Sequence, residues 1–394
     1  MIPPGWAVEA ARQSESVLQN PEGANVKTEQ VTRAYLLPRP LCGARDSTRQ
    51  VRLLPSLWTG AYMRTSWLAL LCLLAACGNP AGPVNSDPGT GTPSPSTPTP
   101  NTSVVTVGGC QVFPGDNAWN RDVSADPVDP ASSALLSQMS PDSALHLDLG
   151  TTEEYYGIPF VVVPASQPLV PISFGTDGAD YSDESDPGPM PIPLDVPIEG
   201  GSTADPNPSS GDRHVLVVQQ GDCILYELYN TVRTGSGFMV SSSARWDLKI
   251  NAIRPAGWTS ADAAGLPILP GLLKYDEVAA NHLTHALRFT VPRARRAYMA
   301  PAGHCGQYTD PTLPAYGLRV RLRADFDLSP YTRDARAILG ALKKYGLIFA
   351  DQGSAWYVTG TSDPRWADAL DQLRQYKVHG RDFEVVQMGF ITSC

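Results

Sequence analysis

The chain has 394 residues, 42% of them apolar, with 30 Lys and Arg against 39 Asp and Glu, and a formal net charge of −9. That length and apolar share suit a folded core and exclude a wholly disordered chain. An acidic balance repels phosphate backbones, so nucleic acid is excluded as a partner.

Residues 1–62 contain Pro and Arg and show no sustained apolar period. An export signal belongs at the start of a chain and one begins at Met63, which predicts that the chain is made from Met63 and that the upstream stretch is not part of it. In Met63–Cys77, Arg64 precedes the apolar run Trp67–Ala76, and the small residues Ala75 and Ala76 lead into Cys77. A cation, an apolar run and a small-residue site are the parts of an export signal. The run falls short of the roughly 20 apolar residues that a membrane-spanning helix needs. Leu74-Ala75-Ala76-Cys77 resembles the lipobox of bacterial lipoproteins. The resemblance implies that Cys77 becomes the acylated first residue and that membrane lipid is a partner through this anchor. It also implies a place in the bacterial cell envelope, outside the cytoplasm. More than one acyl chain gives stable anchoring, each buried CH₂ contributing about 0.8 kcal/mol.

Residues 78–107 are rich in Gly, Pro, Ser and Thr, most densely over Thr92–Pro100, and read as an extended, solvated tether. Residues 108–394 read as one β-rich globular domain. Cys110, Cys223, Cys305 and Cys394 lie in it, an even set that predicts two disulfides in an oxidising compartment. Spacing leaves the pairing open. Cys110–Cys394 with Cys223–Cys305 is favoured, because it would draw the ends of the domain together. No CxxC pair and no Cys/His cluster with zinc spacing occurs.

Several strands follow from side-chain patterning. Phe160–Val163 is a short apolar run suited to a buried strand. His214–Val218 and Ile224–Tyr229 flank Gly221-Asp222, a hairpin turn. In Arg245–Ile250, Trp246, Leu248 and Ile250 alternate inward. His285–Val291 is a strand stopped by Pro292. Gly317–Ala324 alternates without a break, which places Leu318, Val320 and Leu322 on the core and Arg319, Arg321 and Arg323 in water. Two helices are expected near the end. Tyr331–Tyr345 has apolar residues at helical spacing, Ser329 as cap and Gly346 as terminator. Pro364–Tyr376 follows the same plan behind Asp363, with Trp366, Leu370 and Leu373 on one face. Leu347–Phe349 and Trp356–Val358 lie between them, joined by a turn at Asp351–Gly353. The fold expected is mainly β, an antiparallel β-sandwich or jelly-roll-like domain with two C-terminal helices.

No short catalytic motif is present, so a site must come from scattered polar residues. Glu227 and Asp247 sit mid-strand on neighbouring strands. Leu225 and Tyr229 give Glu227 an apolar setting that raises a carboxyl pKa, whereas Arg245 and Lys249 keep Asp247 ionised. Two carboxyls pushed in opposite directions suit glycoside hydrolysis. Trp258 is a candidate sugar platform with Arg254 as its polar partner, although Thr259 followed by Asp262 also fits a helix cap. His214 beside Asp212, together with His282, His285 and His304, forms a histidine set. His214 and His285 join Trp258 and Arg254 as substrate-contact candidates, and the neighbours Leu287 and Phe289 also give His285 the setting of a core residue. The acidic loop Asp183-Glu184-Ser185-Asp186, with Asp180 before it, is a Ca²⁺ candidate without EF-hand spacing, and a solvated acidic loop is the alternative. No other cofactor is implied.

The segments Asp183–Pro189, Asp212–Val218, Arg254–Gly271 and His285–Arg293 resemble those of an uncharacterised secreted bacterial protein family. That resemblance carries no activity and transfers no catalytic residue. Two functions compete at this stage. One is a surface-anchored glycosidase-like hydrolase of extracellular polysaccharide using Glu227 and Asp247. The other is a non-catalytic glycan-binding or envelope-structural lipoprotein.

Overall fold

The computed structural model describes residues 104–150, 156–201, 211–368, 377–387 and 389–394, with backbone alone at 177, 367 and 368. The expected export signal, Cys77 and nearly all of the expected tether lie outside these residues.

The domain is mainly β. A four-stranded sheet runs in the order Ser242–Asp247, Ile224–Tyr229, Val215–Gln219, Phe160–Val163. The expected hairpin is present, with Val215 opposite Leu228 and Gln219 opposite Ile224. Phe160–Val163 adds to it in parallel. A six-stranded sheet runs Phe383–Val385, Arg319–Leu322, Leu347–Gln352, Leu287–Val291, Tyr357–Thr359, His146–Asp148. It is mixed rather than purely antiparallel: Leu347–Gln352 pairs in parallel with Leu287–Val291, and Tyr357–Thr359 with His146–Asp148.

The sheets stack because the middle strands carry apolar residues on both faces. Leu216, Val218, Leu225, Ala244 and Trp246 join one core with Leu287, Phe289, Val320, Leu347, Phe349 and Val358 of the six-stranded sheet. Val215, Val217, Ile224, Tyr226 and Leu228 point the other way, into a second core with Phe238 and Val240 of a three-stranded sheet. Strands buried on two faces read as continuous apolar runs, which is how Val215–Val218 appears in the sequence.

The first expected helix spans Arg333–Lys344 and buries Ala335, Ile338, Leu339 and Leu342. Its cap is Thr332, which accepts from Ala335 N–H at 3.5 Å; Ser329 instead bonds Asp327. Gly346 ends it as expected. Its φ is +70°, and a Cβ there would lie 2.1 Å from the Val320 carbonyl. The second expected helix begins as a 3₁₀ turn, Pro364–Asp368, and its remainder lies outside the described residues.

Three sequence expectations need correction. The disulfides are Cys110–Cys223 and Cys305–Cys394, not the favoured pairing. Cys223 follows the hairpin turn and so meets Cys110 next to that sheet, rather than reaching Cys305. Arg319 and Arg321 are buried, not solvated, because their strand lies inside the six-stranded sheet and their guanidinium groups bond protein oxygens. Ile250 lies beyond the end of Ser242–Asp247 and is 50% exposed.

Among the described residues, no helix is long and apolar enough to cross a membrane. Two disulfides suit an oxidising, extracytoplasmic compartment.

Candidate functional site

The expected carboxylate pair does not form. Glu227 lies opposite Ala244, and Asp247 opposite Ile224. Ala244 and Asp247 are an odd number of residues apart on one strand, so the two carboxyls project from opposite faces of the sheet. Glu227 is fully buried and caps backbone: it accepts Ile268 N–H at 2.9 Å, Leu269 N–H at 2.9 Å and the Trp246 indole at 3.1 Å. Burial nevertheless pushes its carboxyl up to about 7. Asp247 accepts the Lys249 N–H at 3.0 Å, closing the strand end.

Arg254 and Trp258 form a clamp rather than a sugar platform. The Arg254 guanidinium lies 5.5 Å from the Trp246 ring and 5.4 Å from the Trp258 ring. It donates to the Asp186 carboxylate, to the Glu184 carbonyl at 2.9 Å and to the Thr259 carbonyl at 2.6 Å. The acidic loop is thereby bound by a protein cation. Glu184 also accepts Thr259 N–H, and Asp186 accepts Arg245 N–H. Among the described residues, no group of three or more His, Cys, Asp or Glu is arranged to hold a metal ion.

Two candidate histidines are locked in the interior. His214 has Glu199 Oε2 2.5 Å from Nδ1 and the Ala261 carbonyl 3.0 Å from Nε2. Both neighbours accept, so both ring nitrogens carry protons. Burial opposes that charge, but Glu199 prevails and raises the imidazole to about 9. His285 lies between Glu277 at 2.8 Å and the Ala286 carbonyl at 2.7 Å. His282 is exposed. Asp262 caps no helix; it forms a buried two-bond pair with Arg288, 2.9 Å at each contact.

The chemistry gathers elsewhere. A polar cleft of about 340 Å³ is lined by Tyr181, Asp212, Tyr229, His304, Gln307, Tyr316, Asp351 and Gln352, with Ser242, Thr259 and Ser260. Asp212 precedes Val215–Gln219, Tyr229 ends the hairpin, and Asp351 lies near the end of Leu347–Gln352, so the cleft joins the two main sheets. A bulge delivers Asp351. The register of Leu287–Val291 on its neighbour slips after Phe289, which sets Asp351 opposite Thr290. Bulges re-aim side chains and recur beside active sites.

Asp351 accepts its neighbour's backbone N–H, from Gln352, at 2.6 Å. Among the described residues, no ion pair reaches it. Burial first, then the charges of Asp262 and Asp212, push its carboxyl to about 7 against the pull of Arg288. Tyr229 rises to about 12 through burial and through Asp212 and Asp351, and Tyr316 also rises through burial and Asp351. Both phenols thus keep their protons at neutral pH. His304 sits 2.7 Å from the Ala263 carbonyl through Nδ1, so that nitrogen carries the proton and Nε2 faces Glu184 at 3.7 Å. The cleft therefore offers a carboxyl partly protonated near neutral pH, an exposed second carboxyl at Asp212, and hydroxyl, amide and imidazole groups.

Of the sequence candidates, His304 and Asp212, the latter named beside His214, lie in this cleft; Glu227, Asp247, Arg254, Trp258, His214 and His285 are not among its lining. The signal for Asp351 was a carboxylate continuing the apolar run Leu347–Ala350, a position that reads as the start of a turn. No family model, curated protein or solved structure matches the chain.

Proposed function

We propose that the protein is an envelope lipoprotein, anchored through Cys77, whose folded domain hydrolyses glycosidic bonds of an extracellular polysaccharide in the Asp351–Asp212 cleft. Leu74–Cys77 and the two disulfides support the compartment. One observation carries the chemistry: a desolvated carboxyl held near 7 shares a hydroxyl-rich cleft with a second, exposed carboxyl. That is the acid-and-base division glycoside hydrolysis requires. In this reading the Asp351 proton passes to the glycosidic oxygen as its bond to the anomeric carbon breaks. Water adds to that carbon and gives its proton to Asp212. Tyr229, Tyr316 and Gln352 hold sugar hydroxyls.

The test is a panel of neutral and acidic polysaccharides assayed for new reducing ends, with wild type, Asp351→Asn and Asp212→Asn. Release by wild type and at least about a hundredfold loss in each variant are expected, the size general acid–base groups contribute. Retention of polysaccharide without release would replace this reading with the glycan-binding lipoprotein.

A further inference from the structure

A second cavity, of about 490 Å³, shares no lining residue with the Asp351 cleft. Its walls include Trp119, Trp246 and Tyr298, with Asn117 and Asn251 among its polar groups and Arg319 in its lining. Ile253, 80% exposed, also borders it. Aromatic surface with a few placed polar groups is the usual make-up of a small-ligand site.

Arg319 is the unusual member. It is 2% exposed, and its guanidinium donates only to neutral oxygens in the contacts found, the Tyr345 carbonyl at 2.9 Å and the Ala118 carbonyl at 2.8 Å. Among the described residues, no ion pair reaches it. Of the other buried arginines, Arg254, Arg288 and Arg321 each hold a carboxylate, Asp186, Asp262 and Glu384, while Arg213 donates to the Thr231 carbonyl at 2.8 Å. Buried charges are ordinarily paired, because desolvation of a lone ion is costly. The other two cations of the lining are already paired, and its one carboxylate is bound by a neutral amide. Arg121 pairs with Asp126 at 2.6 Å, Arg254 pairs with Asp186, and Asp116 accepts from Asn251 at 2.8 Å. Burial, and then Arg121, pull the Arg319 guanidinium down to about 9, the direction expected of a cation awaiting an anion.

We propose that this cavity binds a sugar carboxylate, a uronate residue, whose carboxyl pairs with Arg319 while its ring lies against the aromatic wall. With Nε and one Nη2 hydrogen already donating to carbonyls, a carboxylate would meet the Nη1 edge of the planar guanidinium. The site is independent of cleavage in the Asp351 cleft.

The test is isothermal titration of the full chain with trigalacturonate, and with galactotriose as the neutral control. Trigalacturonate is expected to bind one to one and at least about tenfold more tightly, the scale of one charge-assisted contact. Arg319 does not line the Asp351 cleft, so its effect on binding separates this site from the proposed hydrolytic one. Arg319→Lys, which keeps the charge and loses the fork, should weaken it about tenfold or more. Equal affinity for the two trisaccharides, no binding of trigalacturonate at millimolar concentration, or unchanged affinity in a folded Arg319→Lys would overturn the proposal. If Arg319→Lys fails to fold, the comparison of the two trisaccharides in wild type still decides.

Discussion

His214 and Glu199 form a buried ion pair, Nδ1 to Oε2 2.5 Å, with the second imidazole nitrogen committed to the Ala261 carbonyl. Through that Nε2 bond His214 ties the loop before Val215–Gln219 to the segment that carries Asp262 and lines the cleft. Its histidine is raised from 6.5 to about 9 in the fold. A raised cationic group stabilises fully below its unfolded value, and that contribution is lost as pH rises through the folded value. Thermal stability should therefore decline between about pH 6.5 and 9. In His214→Gln this decline should vanish, as melting curves across that window would reveal. Glu199 is lowered, so its contribution is present above the ordinary carboxylate range and disappears on acidification below it.

Glu227 should matter for folding rather than chemistry. Removing its carboxyl strands the N–H groups of Ile268, Leu269 and Trp246 in the core. Each buried donor left without a partner costs about 1–3 kcal/mol. Glu227→Leu should therefore lower Tm by roughly 5–10 °C. Calorimetry checks this. An unchanged Tm with lost activity would return Glu227 to the catalytic role its sequence setting suggested.

Asp262 connects the core to the cleft. It pairs with Arg288 and also raises Asp351. Asp262→Asn removes a negative neighbour and frees Arg288, and both effects lower the Asp351 pKa. The alkaline limb of any Asp351-dependent rate should shift to lower pH. Stability should drop by about 3–5 kcal/mol, the cost of breaking a buried pair. Denaturant titration and a pH–rate profile measure the two effects separately.

Non-reducing peptide mapping should recover Cys110 with Cys223 and Cys305 with Cys394. The bridges span 113 and 89 residues. Replacing Cys110 and Cys223 with Ser should cost about 2–5 kcal/mol. A Cys223–Cys305 peptide would contradict the fold at the hairpin.

The β class, the central hairpin and the Arg333–Lys344 helix were legible because each depends on local alternation, turn chemistry or helical spacing. The candidate site was not, because it depends on register. Glu227 and Asp247 look alike as mid-strand acids; only their pairing offset sends them to opposite faces. Arg319 and Arg321 alternate like solvated residues, yet their strand has neighbours on both edges and bonds for each guanidinium. Asp351 owes its position to a bulge two strands from Arg319–Leu322's outer partner, and no sequence period records a bulge. The resemblance of Leu74–Cys77 to a lipobox is wholly local and lies outside the described residues.

The most direct measurement is the pH dependence of polysaccharide cleavage by wild type and Asp351→Asn. A rate that falls as pH rises through about 7 in wild type, with cleavage abolished in a variant of unchanged Tm, is the result expected from a proton held on Asp351. Cleavage that survives in Asp351→Asn with the same pH profile would contradict it.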